Sequence, residues 1–169
     1  MRLPKSLIVT FAAFLTLVLQ APGLAAVHDI YPAPDQAKTD LAAALQSAGA
    51  SHRRIIIDFG GNWCPDCHVL DTYFHDAVNS PILEAHYVLV HINIGRMDQN
   101  LDIAERYLIP LKKGVPALVV LDSDGKLIYS QKTGEFEDMR RMQSGAVTEF
   151  LKQWNTAASP SSARTSADQ

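Results

Sequence analysis

Cysteine is nearly absent from this chain: of 169 residues only Cys64 and Cys67 carry thiols. Two cysteines cannot build the several bridges of a disulfide-stapled mini-domain. Neither sign of charge dominates, with 15 Lys and Arg against 18 Asp and Glu, so the basic footprint of a nucleic-acid binder is missing. Glycine and proline, at nine each, are too few for collagen-like or low-complexity chains. The longest apolar run, residues 7–19, stops at Gln20, short of the roughly 20 residues a membrane-crossing helix needs. What is present is 47% hydrophobic residues over a length that suits one domain with a real core.

The apolar run has a different reading. Arg2 and Lys5 precede it, and small residues around Ala25 and Ala26 follow it, which is the layout of a cleaved secretory signal. Residues 1–26 are therefore expected to be removed, with no cysteine at the exit to carry a lipid. The product is a periplasmic or secreted domain over residues 27–155, with no membrane segment, no nucleic-acid partner and a monomeric state. Residues 156–169 lack bulky apolar groups and read as a disordered polar tail.

Export sharpens the meaning of the cysteine pair. Thiols in an oxidising compartment are normally bridged. A bridge spanning two intervening residues closes almost no loop, so it constrains the unfolded chain little. Such a bridge suits chemistry better than stability.

Hydrophobic patterning predicts one α/β domain. After an extended entry at residues 31–34, Asp35 caps a helix through Leu41 and Leu45 that stops at Gly49. Residues 54–59 and 87–94 are apolar at consecutive positions, the pattern of strands buried on both faces of a parallel or mixed sheet. Cys64 opens a helix with Val69, Leu70, Tyr73, Phe74 and Ala77 on one side and His68, Asp71, Thr72 and His75 on the other, ending near residues 79–81. A helix around residues 100–108 and a hairpin of residues 117–121 and 127–129, turning at residues 122–125, come next. A last helix sets Val147, Phe150, Leu151 and Trp154 on a core-facing stripe.

The strand, turn, Cys-x-x-Cys, helix unit carries the chemistry. A thiol attacks as its thiolate, and the start of a helix stabilises that anion with unpaired N–H groups and the positive dipole end. Cys64 stands there, and Cys67 lies one turn on, placed to attack a mixed disulfide formed on Cys64. Pro65 fits the first turn, where its missing N–H has no partner to lose. Asp58 ends an Ile-Ile-Ile strand; buried there, desolvation favours its protonated form, which suits a general base working near neutral pH. The alternative is an aspartate that leaves the strand into solvent.

The segment Ile57-Asp58-Phe59-Gly60-Gly61-Asn62-Trp63-Cys64-Pro65-Asp66-Cys67 resembles the active-site segment of the thioredoxin family. The likeness continues through residues 87–94, Gly114-Val115-Pro116 with the strand after it, the turn at residues 122–125, Gly134 and the closing helix, so that it covers about residues 36–155. It implies a thioredoxin-like fold, a central mixed β-sheet flanked by helices, and a protein-disulfide oxidoreductase without a cofactor or metal. Cys64 is then the attacking thiol and Cys67 the resolving one, with Cys64–Cys67 as the redox-active disulfide. Asp58 takes the place of the family's buried proton-transfer acid. Pro116 matches the family's cis-proline, so Val115 and Pro116 face the disulfide and pair with substrate, while Trp63 shields the sulfurs and shapes the surface that meets substrate, or else packs into the core. His91 stands where many thioredoxins have a lysine, a departure that touches the proton-transfer network. Protein thiols and disulfides are the implied substrates. Without a third cysteine, a separate redox partner must recharge the pair.

An ionised Asp66 near the Cys64 thiolate disfavours that anion by about 0.5–1 kcal/mol at near-aqueous dielectric. A strong oxidant needs a much-stabilised thiolate, so the sequence points to a reductant or exchange catalyst. Two rivals use the same residues. Cys64-Pro65-Asp66-Cys67-His68 also spells the attachment signature of c-type haem. A copper-binding or copper-delivery reading takes either the cysteine pair with a histidine or His68, Asp71 and His75, against a plain solvated helix face. Lys112 and Lys113 precede the proline loop and are placed to aid thiolate formation or steer acidic partners. Residues 95–111 form a long connection suited to partner choice.

Overall fold

Ile55, Ile56 and Ile57 have no solvent exposure at all, and their strand explains why. In the computed structural model, which describes residues 29–156, β1 (Arg54–Gly60) lies between two neighbours and is covered on both faces. It pairs in parallel with β2 (Tyr87–Asn93) and antiparallel with β3 (Ala117–Leu121), and β3 pairs antiparallel with β4 (Leu127–Ser130). The sheet order is β2-β1-β3-β4, a mixed sheet.

Alternate residues of β1 feed two cores. Ile55, Ile57 and Phe59 join Leu41, Ala44 and Ala48 of α1 (Ala37–Ser51) and Ile103 and Ala104 of α4 (Leu101–Arg106). Ile56 joins the other cluster, with Leu70 and Phe74 of α2 (Pro65–Phe74), Leu83 of α3 (Ser80–His86) and Val147 and Leu151 of α5 (Ser144–Thr156). Each fully buried isoleucine contributes about 1.5–3 kcal/mol by leaving water. Tyr87 anchors α5 to the sheet through a 2.6 Å hydrogen bond from its hydroxyl to the Leu151 carbonyl.

The fold is the predicted one, with local corrections. Asp35 lies in a 3-10 turn, Pro34–Gln36, and makes no cap; α1 starts at Ala37, passes Gly49 and closes at His52 in the left-handed region. The cysteine helix ends at Phe74 rather than near residues 79–81. Asp76 ends that stretch by accepting from the Val78 and Asn79 N–H groups, and α3 follows as a separate helix. Tyr87–Asn93 is the edge strand, yet both its faces pack: Tyr87 lies in one buried cluster and Val90 and Ile92 in the other, while Val88, Leu89, His91 and Asn93 are part-buried. Trp154 sits at the rim of its cluster, packed on Tyr129 with ring centroids 4.5 Å apart. The expected signal, residues 1–26, and the expected tail beyond Thr156 lie outside the described residues. No helix among the described residues is long and apolar enough to cross a membrane.

Candidate active site

β1 delivers its carboxyl end to the start of α2 through the turn at residues 61–63. Cys64 is the N-cap of α2, with extended φ and ψ of −94° and 110°, and the Cys67 N–H donates to its sulfur at 3.1 Å. The helix thus aims an otherwise unpaired backbone donor at Sγ, which is what a thiolate there requires. The two cysteines are joined as a disulfide, with Cα atoms 5.3 Å apart. Cys64 keeps 3% exposure and Cys67 none, so an approaching substrate reaches Cys64 first.

Opposite the sulfurs stands the proline loop. The Val115–Pro116 peptide bond is cis, and the Val115 carbonyl lies 3.6 Å from Cys64 Sγ. Gln131 holds this loop from behind. Its N–H and side-chain oxygen bond Leu118, and its amide nitrogen donates to the Pro116 carbonyl at 3.3 Å, so a side chain continues the β3–β4 ladder past its end. Gly114, at φ 108°, brings the chain into the loop where a Cβ would meet Glu137 Cβ at 2.7 Å. Lys112 and Lys113 are exposed in the 3-10 turn Leu111–Lys113, just before it.

Asp58 is fully buried and does not turn to solvent. Its Oδ2 accepts from the Tyr31 hydroxyl at 2.6 Å and lies at hydrogen-bond distance, 3.0 Å, from His91 Nδ1, while Oδ1 has no partner among the described residues. Burial first, and the Asp58 carboxylate second, push the Tyr31 hydroxyl well above its ordinary pKa, so it stays a donor. The His91 departure therefore does contact the acid.

Trp63 is not a core residue. It is 37% exposed, donates from Nε1 to the Gly95 carbonyl, and lies under the Arg96 guanidinium at 5.6 Å. A cavity of about 590 Å³ opens beside it, bounded by Asn62, Gly95 and Arg96. Asp66 is corrected too. It is buried and not a lone anion: its carboxylate accepts from the Arg140 backbone N–H at 2.9 Å and from Arg140 Nε at 3.1 Å. Burial works to raise the Asp66 carboxyl, but these bonds outweigh it and hold it below the usual carboxylate range.

The residues of the two rivals are engaged elsewhere. His68 turns Nε2 to the Asn62 carbonyl at 2.9 Å, and the sulfurs it would accompany in haem attachment are bonded to each other. Asp71 meets His75 at 3.2 Å and His91 at 3.9 Å, on a face where His68 and Asp71 are half-buried and Thr72 and His75 exposed. Among the described residues no three His, Cys, Asp or Glu side chains converge as metal ligands.

Tyr31, Asn62, Gln131 and Arg140 were not singled out by the sequence. Each is a polar side chain acting across 13 to 74 residues, a separation no local periodicity reports.

Comparison with known proteins agrees with this geometry. A sequence model described as thioredoxin-like matches residues 36–123. The disulphide isomerase from Xylella fastidiosa Temecula1 superposes with a TM-score of 0.72 at 32% identity, covering 76% of this chain and 98% of that one. A thioredoxin from Thermus thermophilus, at 23% identity and a TM-score of 0.50 over 73% of this chain and 84% of its own, shares the fold. The thiol:disulfide interchange protein DsbD of Pseudomonas fluorescens is 28% identical over 135 residues, which is 75% of this chain and 20% of that protein. The chain thus spans about a fifth of that relative's length. With a mixed sheet, a Cys-x-x-Cys helix start and a cis-proline loop facing it, the chain belongs to the thioredoxin-like family.

Proposed function

We propose that this chain is an exported thiol–disulfide oxidoreductase that exchanges disulfides with protein substrates through Cys64 and Cys67. The observation that carries the reading is the placement of Cys64 Sγ, held by the Cys67 N–H at the start of α2 and faced by the Val115 carbonyl beside cis-Pro116. Backbone in this loop is available to pair with an extended substrate, as strand edges do.

In the reducing direction the Cys64 thiolate attacks a substrate disulfide, forming a Cys64–substrate disulfide and releasing one substrate thiolate. Cys67 then loses its proton and attacks Cys64 Sγ. The Cys64–Cys67 bond forms, the bond to substrate breaks, and the second substrate thiolate leaves with the electron pair. Two electrons have passed from the protein to the substrate. The chain has no third cysteine, so a separate partner must return them. The reverse sequence oxidises a substrate dithiol.

Pairing of Asp66 with Arg140 removes the repulsion that pointed to a reductant from sequence. Likeness to proteins named as a disulphide isomerase and a thiol:disulfide interchange protein supports an exchange role in its place. Export rests on the charged, apolar and small-residue pattern of residues 1–26. Expressing a Cys67→Ser variant in the exported compartment and trapping mixed disulfides tests the reading. Partners joined to Cys64 are expected, and a variant that captures none would contradict it.

A further inference from the structure

The segment before α1 enters the site. Asn62, in the turn between β1 and the cysteines, accepts the backbone N–H groups of Ile30 and Tyr31 on Oδ1, each at 2.9 Å, and donates to the Tyr31 carbonyl at 2.9 Å. Asn93 donates to the Pro32 carbonyl and Asn100 to the Pro34 carbonyl, both at 2.8 Å. Three carboxamides from three separate parts of the chain therefore tie down residues 30–34, whose prolines bring no N–H groups of their own. The tie delivers the Tyr31 side chain, only 2% exposed, into the interior.

Gly60 shows where it goes. A Cβ added to Gly60 would meet Cys67 Sγ at 2.7 Å and Tyr31 Cζ at 2.7 Å, with the Tyr31 hydroxyl against the same point. The hydroxyl and the resolving sulfur thus share the space over Gly60, while the hydroxyl bonds Asp58 two residues earlier on the strand. A tyrosine hydroxyl has one proton to give and lone pairs to receive another. On the far side of Asp58, His91 offers Nδ1 to the carboxylate and turns Nε2 toward Asp71 Oδ1 at 3.9 Å. Beyond it opens a cavity of about 360 Å³ lined by Ile30, Asp71, His75 and His91.

We propose that the Tyr31 hydroxyl relays the proton between Cys67 and Asp58, and that His91 passes it on to the cavity beside Asp71 and His75. The proposal rests on the Cys64/Cys67 exchange reading. As Cys67 attacks Cys64 Sγ, the Cys67 proton moves to the Tyr31 oxygen while the Tyr31 proton moves to Asp58 Oδ2. Asp58 then returns to its anion by giving that proton to His91 Nδ1, bare in the Nε2–H tautomer of the ring, and the ring releases its Nε2 proton to water in the cavity, through which it exchanges back to that tautomer. The groups around Asp58 that titrate are Tyr31 from the N-terminal segment, His91 from β2, and Cys67, Asp71 and His75 from or just after α2; β3 places Leu118 beside it. Tyr31 lies outside the residues the family model matches.

The test is a quenched-flow reaction of the reduced full chain with a model disulfide peptide, alkylated and read by mass, so that mixed-disulfide formation and resolution are timed separately. In Tyr31→Phe, formation should stay within about twofold of wild type, while resolution slows about 10- to 100-fold near pH 7. The deficit should shrink as pH rises past about 8.5, where the thiol ionises unaided. Resolution at the wild-type rate, or slowing by the same factor at every pH, would overturn the relay. In His91→Ala, added imidazole should restore resolution, a response that lost packing does not give; no restoration would overturn the exit route. If the wild type itself formed no mixed disulfide, the exchange reading would fall, and that result is distinct from a resolution defect.

Discussion

Arg140 Nε lies 3.1 Å from Asp66 Oδ1, and Asp66 stands between the two cysteines. The pair ties the first turn of α2 to the 3-10 turn Met139–Arg141, 74 residues later, and sets a cation against the one acidic side chain of the Cys-x-x-Cys segment.

Removing that cation leaves the Asp66 carboxylate its backbone N–H partner but no positive charge beside it. An Arg140→Ala variant should hold its Cys64 thiolate less well and become more reducing, by on the order of 10 mV. Equilibration with glutathione redox buffers measures it. An unchanged potential, or a shift to the oxidising side, would show that Arg140 does not govern the charge at this turn.

Gly60 has no room for a side chain. Its added Cβ would meet Cys67 Sγ and Tyr31 Cζ, each at 2.7 Å, so a Gly60→Ala substitution should cost about 1–3 kcal/mol through overpacking. The midpoint of urea unfolding is the readout, and a variant as stable as wild type would mean that the packing over Gly60 is looser than described.

Asn62 makes three hydrogen bonds to the backbone of Ile30 and Tyr31. An Asn62→Ala variant should lose about 1–3 kcal/mol, with hydrogen exchange accelerated more at the amides of residues 30 and 31 than in α5. Equal acceleration in both places would indicate global destabilisation and no local strap.

Stability should fall at both ends of the pH range. Burial raises Tyr31, Tyr87 and Tyr129 above their ordinary value, so the fold keeps protons that the unfolded chain loses above about pH 10. Their contribution is complete below that pH and is lost as pH climbs. Asp66 is the opposite case, held below the usual carboxylate value against its burial by the Arg140 bonds. Its contribution is complete above about pH 4 and is lost as pH drops through its folded value. Urea midpoints from pH 3 to 12 check both limbs, and a flat profile above pH 10 would contradict the first.

The central strand was legible because burial on both faces writes itself as consecutive apolar residues, Ile55 to Ile57. The cysteines, Asp58 and Pro116 were legible through a resemblance that covers about residues 36–155. The edge position of β2 was not legible, because Val88, Leu89, Val90 and Ile92 pack on the two cores from an edge strand as they would from a central one. Tyr31 and Arg140 were missed for a different reason. Their roles come from chain closure that brings residues 31 and 140 onto the β1–α2 junction, and nothing in their own neighbourhoods marks them. The value of Asp66 also changed with that closure, from an unpaired anion to one half of an ion pair.

Disulfide exchange through Cys64 is tested most directly by mixing the reduced chain with a model disulfide peptide. Wild type should release both peptide thiols and end as a Cys64–Cys67 disulfide, Cys67→Ser should stop at a peptide bonded to Cys64, and Cys64→Ser should release nothing. Equal peptide reduction by wild type and Cys64→Ser, or attachment of the peptide to Cys67 in the wild type, would contradict the account.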